Sequence, residues 1–189
     1  MMQPDSTASY LPVLAPSPTP AHGAVVWVTG LAATGKSRLA LALSTRLATG
    51  RRVEVLTGDH VRRHLAERPD GTRDPGAIVA TRLGSMARLF AHDGIIVIAP
   101  DIAFDERTSA EFREAARAAQ LQWVDVFVEA DLDGLIEGSA RSTPRSAVRH
   151  VPQVRVRADW QSVDESVERI VGALVRAGVL ESADTAGGR

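Results

Sequence analysis

Eight consecutive residues, Gly30-Leu31-Ala32-Ala33-Thr34-Gly35-Lys36-Ser37, constrain the fold of this 189-residue chain more than any other stretch. They match the pattern G-x-x-x-x-G-K-[ST], and their flanks agree with it. Val25-Val26-Trp27-Val28 is a short apolar run suited to a buried parallel strand. Leu39, Leu41, Ala42, Leu43 and Leu47 then give an apolar helix ending near Gly50. Strand, glycine loop and helix in that order point successive backbone N–H groups, and the positive end of the helix, at one anion. The expected nucleotide-binding residues are Gly30, Leu31, Ala32, Ala33, Thr34, Gly35, Lys36, Ser37 and Arg38, with the Ser37 hydroxyl placed for Mg²⁺.

Lys36 is the only lysine among 22 basic residues; the rest are arginine. An ammonium is a compact charge on a flexible stem and can bridge β- and γ-phosphate oxygens inside a tight backbone cradle. A planar guanidinium is too wide and too directional for that place. A single lysine also leaves no room for an Asn-Lys-x-Asp guanine signature.

The remaining composition narrows the field. Net charge is −1, without the basic footprint of a nucleic-acid binder. Cysteine is absent, which excludes disulfides, thiolate metal sites and cysteine nucleophiles. No run reaches membrane-spanning length. Residues 1–23 are rich in Pro, Ser, Thr and Ala without a basic start, and read as a disordered tail rather than a secretory signal. A cytoplasmic protein is the default, with one folded phosphate-loop domain of ordinary size over 24–178 and a flexible C-terminal tail over 179–189.

Along the chain, Val53–Leu56 reads as a strand, followed by a helix opening at Asp59 and running through Leu65. Arg68–Pro75 is polar and turn-rich. Ile78, Leu83, Met86, Leu89 and Phe90 recur at helical spacing, and Ile95–Ile98 is the most apolar strand. Thr108-x-x-Glu111 has a capping-box pattern for a helix through Gln120. Val124–Val128 is a further strand, with a short helix from Asp131, and Val154–Val156 an edge strand. Ser162-x-x-Glu165 caps a last helix, Val163–Arg176. Five strands alternating with helices predict an α/β, three-layer sandwich: a five-stranded parallel sheet with helices on both faces. Ligands in such sheets bind at the carboxyl ends of the strands.

Asp59, just after the second strand, places a carboxylate where it can orient an acceptor hydroxyl, take its proton late or hold Mg²⁺ through water; it can also be the N-cap of the helix, and the two roles are compatible. Asp101, beyond the third strand, is a Mg²⁺-directed or acceptor-side acid, or an ordinary turn residue. Arg141, Arg145 and Arg149 at four-residue spacing form a short phosphate lid or a solvated face. His60 and His64 sit four apart without a third metal ligand. Trp27, Trp123 and Trp160 read as packing residues rather than as a base-stacking platform.

With these residues in place the chain resembles the adenylylsulfate (APS) kinases, P-loop enzymes of the nucleoside-monophosphate-kinase type. Val28–Ser37 is similar to their Leu-Thr-Gly-Leu-Ser-Gly-x-Gly-Lys-Ser, and Leu56–Arg62 to their Leu-Asp-Gly-Asp-Asn-Val-Arg. Arg82–Ala99 is similar to their Arg-Ile-Gly-Glu-Val-Ala-Lys-Leu-Phe block and the strand after it. Val126–Glu129 and Asp164–Val167 match a later strand and the final helix. The resemblance covers about Val25 to Leu174.

It implies an ATP- and Mg²⁺-dependent kinase whose family acceptor is the 3′-hydroxyl of adenylyl sulfate. Lys36 and Asp59 would be catalytic. Arg62, Arg82, Asp101 and Arg107, with Asp59, would line an anionic small-molecule acceptor. Arg141 and Arg145 would form the lid, and a homodimer follows by family analogy. The departures concern the acceptor: Gly71, Gly76 and Val79 stand where the family has Phe, Arg and Asn. Ala103-Phe104-Asp105-Glu106 replaces Ser-Pro-x-Arg, and the basic lid is shortened between Gly138 and Gln153. A kinase acting on another hydroxylated metabolite, or a nucleotide-binding module without catalysis, therefore stays open.

Overall fold

The computed structural model describes residues 23–30, 34–64, 75–100, 106–129 and 151–181, with the side chains of 62–64, 75–77 and 106–108 excepted. Five strands form one sheet: β1 (Ala24–Gly30), β2 (Val53–Val55), β3 (Ile96–Pro100), β4 (Gln122–Glu129) and β5 (Val154–Arg157). Their order is β2-β3-β1-β4-β5, and every pair is parallel. Parallel neighbours need crossover connections. From β1 to β4 these are supplied by α1 (Lys36–Leu47), α2 (Gly58–His64), α3 (Pro75–His92) and α4 (Glu106–Ala118), and α5 (Val163–Arg176) closes the fold; the expected short helix from Asp131, between β4 and β5, lies outside the described residues.

The two-residue period of β1 explains the layers. Ala24, Val26 and Val28 point to one face, where Leu39, Ala40 and Leu43 of α1 meet Val167, Ile170 and Leu174 of α5. Val25 and Trp27 point to the other, against Val61 of α2, Leu83 and Ala87 of α3, and Phe112 and Ala116 of α4. Both faces are therefore apolar, as a central parallel strand requires. On the second face the rings of Trp27, Phe112 and Trp123 form a cluster, with centroids 5.7 Å apart for Trp27–Phe112 and 5.1 Å for Trp27–Trp123. Each such contact adds about 0.5–1.5 kcal/mol to the area it buries.

A polar network lies inside this apolar frame. Asp125, in the middle of β4, is 6% exposed. Its carboxylate accepts from Trp123 Nε1 at 2.9 Å and from the Arg113 guanidinium of α4 at 3.3 Å. Gln153, one residue before β5, accepts from the Asp125 backbone N–H at 2.6 Å and donates to the Trp123 carbonyl at 3.0 Å. Its carboxamide thus stands in for a peptide group and extends the β4–β5 ladder backwards.

Four expectations change. α4 begins at Glu106, so Thr108 lies inside its first turn and cannot be the N-cap. A T-x-x-E spacing arises readily on a charged helix, whereas Ser162 and Glu165 make both reciprocal bonds of a true capping box. α2 begins at Gly58, and its cap is Thr57, whose hydroxyl accepts from the His60 N–H at 3.3 Å. Asp59 is inside the helix and is not the cap. Val179 and Leu180 are buried in the α1/α5 core, so the folded unit continues past Gly178. The Arg51 guanidinium reinforces this by donating to the Val179 carbonyl. Finally, Trp27 and Trp123 are core residues, but Trp160 is 78% exposed and packs in neither core cluster.

Candidate functional site

The carboxyl ends of the strands meet around the glycine loop. Gly30 has φ 143°, and a Cβ there would overlap the Val128 carbonyl oxygen of the neighbouring strand. Only glycine lets β1 leave the sheet at this point. Gly35 has φ 85° and occupies the N-cap position of α1, where a Cβ would meet only open space. α1 starts directly from Gly35, with Leu39 N donating to Gly35 O at 2.9 Å. Leu31, Ala32 and Ala33 lie outside the described residues.

The start of α1 is built for an anion. No side chain caps it and no acid lies in its first turn. Its first residue is instead Lys36, 6% exposed. A cation at the positive end of a helix opposes the macrodipole, and burial adds a desolvation cost. Phosphate oxygens remove both penalties, since they accept from the ammonium and from the open N–H groups together. Lys36 Nζ donates to the Gly30 carbonyl at 3.0 Å, which fixes the ammonium at the mouth of the loop. Thr34 is buried beside it, while Ser37 and Arg38 are exposed on the first turn. The donor set of ammonium, backbone N–H groups and the Ser37 hydroxyl fits a Mg²⁺–nucleoside triphosphate.

Asp59 lies on one flank of this cradle. The ladder runs on past β2 through Leu56 N donating to Ile98 O at 2.9 Å, and the chain then turns into α2. Val61 anchors that helix in the α3/α4 core. With Thr57 as cap, the exposed Asp59 carboxylate is carried in the first turn of a helix at the ligand edge. Arg62 follows one turn later on α2, and Arg107 belongs to the first turn of α4; the side chains of both lie outside the described residues. Arg82 is exposed on α3, the helix that packs beside α2. Asp101, Arg141, Arg145 and Arg149 lie outside the described residues. The structure therefore brings together Gly30, Thr34, Gly35, Lys36 and Ser37, and carries Asp59 at the same carboxyl edge of the sheet, past β2 on the far side of β3.

Two contributors escaped the sequence reading. Thr57 caps α2, a role offered to Asp59 because both residue types cap well. The Arg113–Asp125–Trp123–Gln153 network was hidden in a run that reads as a buried strand. A carboxylate in the middle of such a run was its signal, because a buried charge needs partners.

Comparison with known proteins gives one consistent result. A family model described as adenylylsulphate kinase matches residues 22–142. An adenylyl-sulfate kinase of Myxococcus xanthus is 33% identical over 180 residues, covering 87% of this chain and 97% of that protein. One from Chloroflexus aurantiacus is 34% identical, covering 86% and 95%. Among solved structures, the Mycobacterium tuberculosis APS kinase in complex with AMPPNP and APS superposes with a TM-score of 0.66 at 25% identity. It covers 82% of this chain and 99% of that one. Among the described residues no helix is long and apolar enough to cross a membrane.

Proposed function

The chain belongs to the adenylyl-sulfate kinase family, and from that premise we propose that it transfers the γ-phosphate of ATP to the 3′-hydroxyl of adenylyl sulfate. The observation that carries the reading is the cradle itself, with Gly30 and Gly35 shaping the loop and Lys36 fixed at its mouth, while Asp59 stands in the first turn of α2 at the same edge of the sheet.

The chemistry assigned to the residues is positioning plus electrostatics. The loop N–H groups and the start of α1 hold the β- and γ-phosphates. Lys36 moves from the Gly30 carbonyl to phosphate oxygens and offsets the charge that builds on the leaving β–γ bridge oxygen. Asp59 orients the acceptor hydroxyl and takes its proton late, as the new O–P bond forms and the β–γ P–O bond breaks. Ser37 would hold Mg²⁺, which when bound neutralises phosphate charge. Arg62 and Arg82 are assigned to an anionic acceptor, since α2 and α3 pack together on the Asp59 side. By the same family analogy we place the reaction in the cytoplasm and the enzyme in a homodimer, the latter read by light scattering.

One observation favours a second acceptor reading. Val79, which stands where the resemblance puts an acceptor-gripping Asn, is 6% exposed inside the α3/α4 core and has no polar atom to offer. Another hydroxylated, anionic metabolite would then be the acceptor. ADP release from Mg²⁺–ATP with and without adenylyl sulfate, with Lys36→Ala as blank, decides between them. Strong stimulation that vanishes in the variant supports adenylyl sulfate. Nucleotide binding without stimulation removes that acceptor and leaves the nucleotide site standing.

A further inference from the structure

Gly84 sits in the middle of α3, where glycine is the poorest choice after proline for a helix. The reason lies on α4. A Cβ added at Gly84 would stand 2.5 Å from Phe112 Cζ and 2.6 Å from Cδ1, with Cε1 also in the way. Carbon atoms in good contact are about 3.5–4.0 Å apart, so an alanine here intrudes on the ring by about 1 Å. α3 therefore carries a slot, and the Phe112 ring fills it.

The ring has no room to retreat. It is buried, with the Trp27 ring centred 5.7 Å away and the Trp123 ring 6.4 Å away. Trp27 belongs to the central strand and is fully buried. Trp123 is held through its Nε1–H, which donates to Asp125. Asp125 also accepts from Arg113, the residue next to Phe112 on α4. That ion pair ties α4 to β4 one residue away from the ring. If the two helices are forced apart, α4 stays with the sheet and α3 gives way.

What α3 carries makes its place matter. Arg82, two residues before the slot, is exposed, and α3 packs against α2, whose first turn holds Asp59. Val79, Leu83 and Ala87 of α3 share one core cluster with Val61 of α2. The phosphate cradle is held by other means: Gly30 lies against the Val128 carbonyl, and Lys36 Nζ donates to the Gly30 carbonyl. α1 packs on the opposite face of the sheet. A shift of α3 thus moves the acceptor side relative to the cradle and leaves the cradle whole.

We propose that Gly84 is a positioning residue for the acceptor: the slot it opens to Phe112 sets how far α3 stands from α4, and with that where Arg82 lies relative to the phosphate cradle. The proposal rests on the acceptor reading of Arg82 and Asp59.

Three variants of the full chain test it: Gly84→Ala, Phe112→Leu and the two together. Alanine for glycine inside a helix ordinarily stabilises it. Here Gly84→Ala is expected to lower the melting temperature, and to raise it or leave it unchanged once Phe112 is leucine. In Gly84→Ala, kcat/KM for adenylyl sulfate should fall by about 10²-fold, the scale of a misplacement of about 1 Å. The Kd of a non-hydrolysable ATP analogue should stay within about twofold. On the Phe112→Leu background the same glycine-to-alanine change should cost far less, because the two side chains no longer collide. A raised melting temperature in Gly84→Ala alone overturns the slot. A lowered one with kcat/KM unchanged, or with analogue affinity lost in step, overturns the positioning role. If adenylyl sulfate does not stimulate wild type, the acceptor reading falls, and a crystal structure of Gly84→Ala decides the slot by itself. Superposed on β1, β3 and β4, α3 displaced by about 1 Å supports the slot, and α3 in its place overturns it.

Discussion

Lys36 Nζ donates to the carbonyl of Gly30, the residue that opens the loop, at 3.0 Å. The ammonium is thus held within the cradle by the cradle's own backbone, in a geometry a guanidinium cannot reproduce. Lys36→Ala should lower kcat/KM for ADP formation by about 10²–10³-fold, the scale of losing one group that stabilises developing charge. Lys36→Arg should fail to restore the rate although it keeps the charge. Recovery with arginine would show that charge alone suffices and that the narrow backbone cradle is not the constraint.

Asp59 is expected to act on the acceptor and not on ATP. Asp59→Asn should cut kcat by about 10²–10⁴-fold, the range for a positioned acid or base. The Kd of a non-hydrolysable ATP analogue should stay within about twofold, since the loop is intact. Removing the cap beneath it, in Thr57→Ala, should cost about 1 kcal/mol in urea denaturation, with a smaller drop in kcat. A weakened analogue Kd in Asp59→Asn would instead place the carboxylate at the nucleotide.

The buried carboxylate of Asp125 has Arg113 on one side and the Trp123 indole on the other. Asp125→Ala removes the buried carboxylate to which the Arg113 guanidinium and the Trp123 indole N–H donate. Stability should fall by about 3–5 kcal/mol, as for breaking one side of a buried pair. The double variant Asp125→Ala/Arg113→Met should be less destabilised than the sum of the single ones. Simple additivity would show that the two side chains are energetically independent.

Glu165 accepts from the Ser162 backbone N–H at 2.8 Å and from its hydroxyl at 3.0 Å. These bonds, the backbone one foremost, hold its carboxyl below the usual glutamate range. A carboxyl depressed in the folded state releases its proton more readily there than in the unfolded chain. Its stabilising contribution is full above the unfolded value and disappears as pH falls through the folded one. Thermal melts of wild type and Glu165→Gln should therefore converge on acidification below the ordinary glutamate range and separate at neutral pH. Parallel curves across that interval would mean the box does not report on proton binding.

Much of this was legible in the residues themselves. Gly30, Gly35 and Lys36 define the loop by spacing, and the unbroken apolar runs of β1 and β3 require burial on both faces. Helical spacing from Ile78 to Phe90 located α3, although its start at Pro75 is set by proline's fixed φ at a first helical position. Less legible were choices between chemically equivalent options. Thr57 and Asp59 can both cap, and Thr108 and Ser162 both begin a capping pattern; which is used depends on where the chain leaves the sheet. The pairing of Arg113 with Asp125 and the exposure of Trp160 are tertiary facts, without a local pattern that distinguishes Trp160 from Trp123.

Gln153 has a consequence for how this architecture can vary. Its carboxamide reads the Asp125 N–H and the Trp123 carbonyl directly, so the alignment of β5 on β4 is set at that residue and does not depend on the path the chain takes to reach it. A change of length between Glu129 and Val151 is therefore expected to leave the pairing of Val154 with Val126 in place. Gln153 acts as a bulkhead: whatever the connection before it does, the start of β5 keeps its address on β4.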